Sequence, residues 1–417
     1  MGPLTRLPAL LAGEITGTIL VAGVINALMA VLPVLALVRW RAAHVRHDPS
    51  AVRASFAFAS LALLSIPATM EIVGHLHVDA QAVGFGLLAC GVLSGRESPG
   101  WARLTVAATL SVLAVWSKQI EGPVIIAQVV YVWAAFGRTI LIRFVVCLAV
   151  IGLAISLAFG WIFGFQELWF NLITIPGSHP VAATGGILLE ILLWALPFIV
   201  IIVAVQFARP PGSRRWLQQD WVLPALAALF LLPLNVMARA KVGGWVNSYH
   251  CLYYIVVAAA LAVRAAPEAL GKDRARGFST GLLVLLLAIT PLQQLRHGAG
   301  RGFRYLPQIS SNPERQLSEF ARSHPGEVYL PWNPLASLDA TGELHHFAHA
   351  LYDRALAGFP VSDEHFRAHL PEHMRWIVFP RGYPTSYVLP YLPEFSHRTK
   401  LAELPGWVVY TRVLSSE

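Results

Sequence analysis

The stretch Glu71-Ile72-Val73-Gly74-His75-Leu76-His77-Val78-Asp79 sets two carboxylates and two imidazoles between two long apolar runs. Side chains of these types take protons, ligate a divalent metal or position a phosphate. A charge inside hydrocarbon costs several kcal/mol, about 3 on insertion scales. The segment must therefore lie at a membrane surface or in a water-filled cleft, and its partners must come from other polar breaks on the same side. Lys118 is a lone cation ending an apolar run. Arg239, Lys241, Asn247, Tyr249 and His250 surround Gly243 and Gly244, and glycines let backbone N–H groups approach an anion. Glu190 stands about one turn inside its run and must face protein or water. Each has a plainer reading: interfacial polar residues, a lysine snorkelling to headgroups, an ordinary turn, a buried ion-pair partner.

The segment Gln166–Pro180, with Trp169, Asn171, Pro176 and His179, is long enough to lie over a cleft. Further on, His345, His349 and Asp353 recur at i, i+4 and i+8 of an expected helix over Glu343–Leu356, with His346 beside them. That spacing can ligate zinc, but the tail has no cysteine and no zincin pattern, and a solvated His-rich face is the plainer reading. A P-loop, a dinucleotide glycine motif and Gly-x-Ser-x-Gly are all missing, so nucleotide chemistry is not indicated.

The elements that must position these groups follow from composition. Hydrophobic residues make up 56% of 417 and charged residues 13%, with mean hydropathy +0.59. A soluble domain carries about 25% charged residues, so the chain reads as a polytopic helical membrane protein. Cys90, Cys147 and Cys251 lie far apart and form neither a disulfide framework nor a metal spacing. The net charge of +8 is explained by basic cytoplasmic connections rather than by nucleic acid. The first apolar run is too long for a cleavable signal peptide and lacks a basic start.

Ten spans are expected, near 15–38, 54–72, 79–95, 101–117, 122–137, 141–164, 185–207, 221–238, 249–264 and 277–293. Alternate connections, around 39–53, 96–103, 138–143, 209–215 and 264–276, are rich in arginine. The positive-inside rule places them in the cytoplasm, against the pull of Arg296, Arg301 and Arg304. Both termini and all the unusual polar breaks then share the outer face, where Trp161, Trp169, Phe170 and Trp245 fit an aromatic belt. Residues 1–293 form the membrane domain. From 294 to 417 the composition turns polar and histidine-rich, with expected strands at Glu327–Leu330, Arg375–Phe379 and Gly406–Tyr410. A small α+β extracytoplasmic domain is expected there.

Four short matches, in order, carry a family resemblance over about residues 1–265. They are Gly2-Pro3-Leu4 before a span ending at Arg39-Trp40-Arg41, His77-Val78-Asp79-Ala80 opening a span, Trp116-Ser117-Lys118-Gln119 closing one, and Lys241-Val242-Gly243-Gly244-Trp245-Val246-Asn247-Ser248-Tyr249. The pattern resembles the GT-C membrane glycosyltransferases, in particular the protein O-mannosyltransferase and lipid A aminoarabinose transferase relatives. It departs from them by lacking, ahead of Glu14, the first helix and the acidic outer loop that does the family's chemistry. The resemblance implies transfer of a sugar from a polyprenyl-phosphate carrier in the lipid bilayer to an extracytoplasmic glycan, lipid or protein. It implies Asp79 and Glu71 as catalytic carboxylates, and Lys118, Arg239, Lys241, His77, Asn247, Tyr249 and His250 as contacts to phosphate or sugar. A divalent metal ion would fall to His75, His77 and Asp79. The alternatives are an inactive GT-C-fold protein that binds lipid or a partner, and a transporter. Abundant Ala, Arg and Leu without an Asn-x-Ser/Thr sequon point to a bacterial inner membrane.

Overall fold

The computed structural model describes residues 24–29, 31–35, 49–66, 78–95, 97–182, 184–208, 219–270, 313–382, 385–395 and 398–411, with isolated positions between them. Among these residues the chain is chiefly helical with one small sheet. Four helices are long and apolar enough to cross a membrane: Gln119–Phe136, Arg138–Phe163, Gly185–Phe207 and Val222–Ala240. Five further apolar helices span only 10–17 residues. Nine of the ten expected spans fall on these nine helices, and the expected span 277–293 lies largely outside the described residues. The chain is thus a polytopic helical membrane protein carrying a small sheet.

The chain divides into two compact units. Among the described residues, one unit is built from ranges 22–165 and 181–298, and the other joins 166–180 to 299–417. In the first, the helices are α1 (Pro49–Ser65), α2 (Asp79–Leu93), α3 (Trp101–Ser117), α4 (Gly122–Phe136), α5 (Arg138–Phe163), α6 (Gly185–Phe207), α7 (Val222–Ala240) and α8 (His250–Leu270). Helix α8 is the hub, packed on α1, α6 and α7. Every residue from Cys251 to Val263 is buried and, apart from the hydroxyls of Tyr253 and Tyr254, apolar, the mark of a helix enclosed on all sides. Its other polar residues stand at the two ends of this stretch. His250 opens it, and Arg264, ~20 Å further along at 1.5 Å per residue, pairs with Asp220. Helix α2 packs chiefly on α3, and its buried residues include the small Ala80, Ala82, Gly84, Gly86, Ala89 and Gly91.

The second unit holds a four-stranded sheet: β1 (Val328–Tyr329), β2 (Trp376–Pro380), β3 (Thr399–Leu404) and β4 (Trp407–Thr411), in the order β1-β2-β4-β3. Only the β1–β2 pair is parallel. Both faces are covered, so apolar residues alternate between two cores. Ile377 and Phe379 join Tyr329, Phe366 and Phe395, while Val378 joins Leu317, Val328 and Val409. The expected strands sit within a residue or two of β1, β2 and β4. Strand β3, with its mixed sequence TKLAEL, was not expected.

The helix expected over Glu343–Leu356 is a correction. Helix α9 (Pro313–Ser323) is followed by α10 (Pro334–Thr341), which ends at Gly342 in a left-handed conformation, φ +76°, a position that favours glycine. Helix α11 (Ala348–Leu356) starts six residues later. In between, Tyr329 Oη donates to the His346 carbonyl at 2.7 Å, and the Ala348 N–H donates to the Pro331 carbonyl at 2.7 Å. These long-range bonds hold 343–347 out of helical form. In the same unit, segment 166–180 contains a π-helical turn at Phe170–Thr174. The Arg354 guanidinium lies 5.0 Å over the Phe170 ring, Phe359 meets that ring edge-on at 5.4 Å, and His179 Nε2 bonds to the Asp353 carbonyl at 3.1 Å.

Candidate functional site

Four helix ends converge on one polar cluster in the helical unit. Asp79 is the first residue of α2, where the helix dipole favours an anion. Lys118 follows the last turn of α3 in extended backbone, φ −156°. A 3-10 turn, Gln119–Glu121, then leads into α4, which has a proline in its first turn. His250 opens α8, whose Cys251 N–H is capped by Asn235 Oδ1 of α7 at 2.7 Å, one of the donors that a helix start leaves unpaired.

The bonds form a chain. Lys118 Nζ pairs with Asp79 Oδ1, which also faces His250 Nε2 at 2.6 Å. Asn247 Nδ2 donates to Asp79 Oδ2 at 3.1 Å. His250 Nδ1 meets Glu121 Oε1 at 2.5 Å, and Tyr254 Oη donates to Glu121 Oε2 at 2.6 Å. Asp79, Glu121 and His250 are 1%, 0% and 0% exposed, whereas the Lys118 side chain keeps 24%. An uncompensated buried ion costs several kcal/mol. Here two carboxylates face one ammonium and one imidazole bonded through both nitrogens. Each imidazole contact needs a proton, so His250 is an imidazolium, or one carboxyl carries the proton. Either way all three partners are satisfied and the charges balance.

Gly86, seven residues into α2 and so on the face of Asp79, makes room for this chain. A Cβ there would lie 1.9 Å from Tyr254 Oη and 2.9 Å from Glu121 Oε2. Tyr254 sits four residues after His250, on the same face of α8.

Of the expected site residues, Asp79, Lys118, Asn247 and His250 come together. Glu71, His75 and His77 lie outside the described residues. Both Asp79 oxygens accept from protein donors, and the other two expected metal ligands, His75 and His77, are among the residues outside the described ones. Arg239 and Lys241 belong to the end of α7. Arg239 Nη1 donates to the Gly244 carbonyl at 3.0 Å and its guanidinium lies 5.8 Å over Trp245, while Lys241 forms a bridge with Val181. Gly244 has a different use from the one expected. Its N–H donates to the Lys241 carbonyl at 2.8 Å, and a Cβ would lie 2.4 Å from the Ala238 carbonyl oxygen, so its bareness lets the chain turn tightly against α7. Tyr249 is fully buried, within electrostatic reach of Glu190 and Arg239.

Glu121 and Tyr254 were not singled out from the sequence. Glu121 stands three residues after Lys118 in the same break, a proximity that could have flagged it. Nothing local flagged Tyr254, one of two adjacent tyrosines. In the second unit, the helix face whose spacing could have ligated zinc is broken, in keeping with the plainer reading of these histidines. His345 precedes α11 and bonds through Nδ1 to the His369 carbonyl at 3.0 Å, and His349 packs edge-on to Trp332 at 4.8 Å. Burial raises the Asp353 carboxyl above its ordinary range, against the opposing influence of His179 and His349.

No protein-family model matches the sequence, and no curated protein sequence matches it. A solved structure does resemble the chain: ArnT from Cupriavidus metallidurans bound to undecaprenyl phosphate, at TM-score 0.59 and 14% identity, over 99% of this chain and 87% of that one. This chain therefore has the fold of that membrane protein across nearly its whole length.

Proposed function

We propose that the chain is a membrane glycosyltransferase of GT-C type that moves a sugar from a polyprenyl-phosphate carrier to an extracytoplasmic acceptor. The observation that carries this reading is the buried, charge-balanced chain Lys118–Asp79–His250–Glu121 in a protein with the fold of ArnT, whose structure holds undecaprenyl phosphate. Lys118 is its one partly exposed cation. An ammonium has three N–H donors, and the bond to Asp79 uses one. The others are free in direction to meet the phosphate that leaves when the glycosidic bond breaks, where a fixed cation stabilises developing negative charge. Asp79 and, behind it, His250 and Glu121 are positioning residues that keep the ammonium in place. With Asp79 committed to three donors, Glu71 is the carboxylate to test as the acceptor's base. The chain is placed in a bacterial inner membrane with its polar breaks on the outer face.

A second reading, a lipid-phosphate-binding relative without transfer, is favoured by one fact: neither carboxylate of the described cluster is exposed. One experiment separates the two. The purified protein is reconstituted in liposomes with a sugar-charged undecaprenyl phosphate and, as acceptor, a bacterial envelope extract of glycan, lipid and protein, and both binding and release of free undecaprenyl phosphate are measured. Transfer requires release. Lys118→Met should weaken lipid-phosphate binding by roughly 10–100-fold, the value of a charge-assisted hydrogen bond. Binding without release selects the second reading. Neither binding nor release, with solute flux across the vesicle instead, selects a transporter.

A further inference from the structure

The second unit contains three histidines that the cluster above does not use. His365 and His369 lie four residues apart on and just beyond α12 (Asp363–Arg367), and His346 comes from the extended segment before α11. One ring nitrogen from each of the three lies within 4.8 Å of the other two, and the ring centroids are 4.5, 5.2 and 5.6 Å apart.

Several contacts prepare these rings as ligands. His346 stacks on the buried Phe366 ring, 5.5 Å away with an interplanar angle of 6°, and its backbone is pinned by Tyr329. Its Nε2 is buried and has no hydrogen-bond partner, a costly state for a polar atom. His369 Nδ1 donates to the His365 carbonyl at 2.8 Å, which leaves Nε2 as the lone-pair nitrogen, the usual second contact of a metal-bound histidine. His345 braces the His369 carbonyl in turn.

We propose that His346, His365 and His369 form a three-imidazole site for a divalent transition-metal ion of zinc's class, with a fourth position open to water. Imidazole nitrogens suit zinc, copper and nickel, whereas calcium and magnesium need oxygen ligands. Zinc–nitrogen bonds of about 2.0–2.1 Å bring tetrahedral ligands to roughly 3.4 Å from one another. The present spacing reaches that by rotation of the two exposed rings, His365 and His369. The ion would satisfy His346 Nε2 and tie segment 343–347 to α12. His345, His349 and Asp353, whose spacing alone would have allowed zinc, are not its ligands.

The test uses the full chain in detergent, metal-free and without a histidine tag. Cobalt(II) is titrated and its visible absorption followed, then zinc is added in competition. One equivalent with a tetrahedral spectrum, displaced by zinc, is expected. His346→Gln, His365→Gln and His369→Gln should each weaken binding by at least about tenfold, while His373→Gln should leave it unchanged. His346→Phe keeps the stack on Phe366 and removes the ligand, so the result stands even if His346→Gln is unstable. No bound cobalt at micromolar concentration would overturn the proposal. So would unaltered affinity in His346→Phe, which would reduce the site to an ordinary surface pair.

Discussion

His250 and His346 are both held by packed surroundings, yet they stand in opposite states. His250 is fully buried and has both ring nitrogens bonded, to Asp79 and to Glu121. His346 has a buried Nε2 with no partner and two exposed histidines facing it. The helical unit has closed its polar cluster internally, leaving Lys118 as its partly exposed charge. The second unit has left its cluster open by one bond. A saturated network fixes a single charge in place, and an unsaturated one is built to receive something. The contrast explains why the first is read as positioning machinery for a phosphate and the second as a metal site.

Breaking the closed cluster should have the largest effect. Glu121→Leu leaves the imidazole Nδ1 and Tyr254 Oη without an acceptor, at a cost on the order of 3–5 kcal/mol. The expected outcome is a sharply lower melting temperature in detergent together with loss of lipid-phosphate binding. Retained stability would mean that the network contributes little. Next in size, Gly86→Ala keeps every charge but places a methyl against Tyr254 Oη. Overpacking of this kind costs about 1–3 kcal/mol. Melting should fall less than in Glu121→Leu, and pairing it with Tyr254→Phe should restore part of the loss by removing the crowded oxygen.

The smallest effect lies in the open cluster and depends on pH. The folded His346 imidazole is held below its unfolded value of 6.5, so the native state binds fewer protons than the unfolded one. Its contribution is complete above pH 6.5 and is lost as pH falls through the folded value. The His369 and His365 rings and Arg354 oppose its protonation, while the His365 backbone favours it. Hydrogen-exchange protection across residues 343–370, taken relative to the intrinsic rate at each pH, should fall more between pH 7.5 and pH 5 in the native chain than in His346→Phe. Equal pH dependence in the two would remove His346 as the titrating group.

Composition and the cost of charge in a bilayer were enough to mark the class of this protein from its sequence. They also marked Asp79, Lys118, Asn247 and His250, because polar side chains at the ends of apolar runs are few and must be satisfied somewhere. Strands β1, β2 and β4 were legible for a similar reason, since apolar alternation is a local signal. What the sequence left open was pairing. Glu121 joins Asp79 only through His250, more than a hundred residues away in the chain. Tyr254 matters only because Gly86 leaves space for its hydroxyl. His346 reads as part of a helix until Tyr329 and Pro331 hold its segment extended and turn it toward His365 and His369. Periodicity and residue type act over one or two turns. Which side chains share a proton or face a common point depends on contacts between distant segments, and only the tertiary structure decides them.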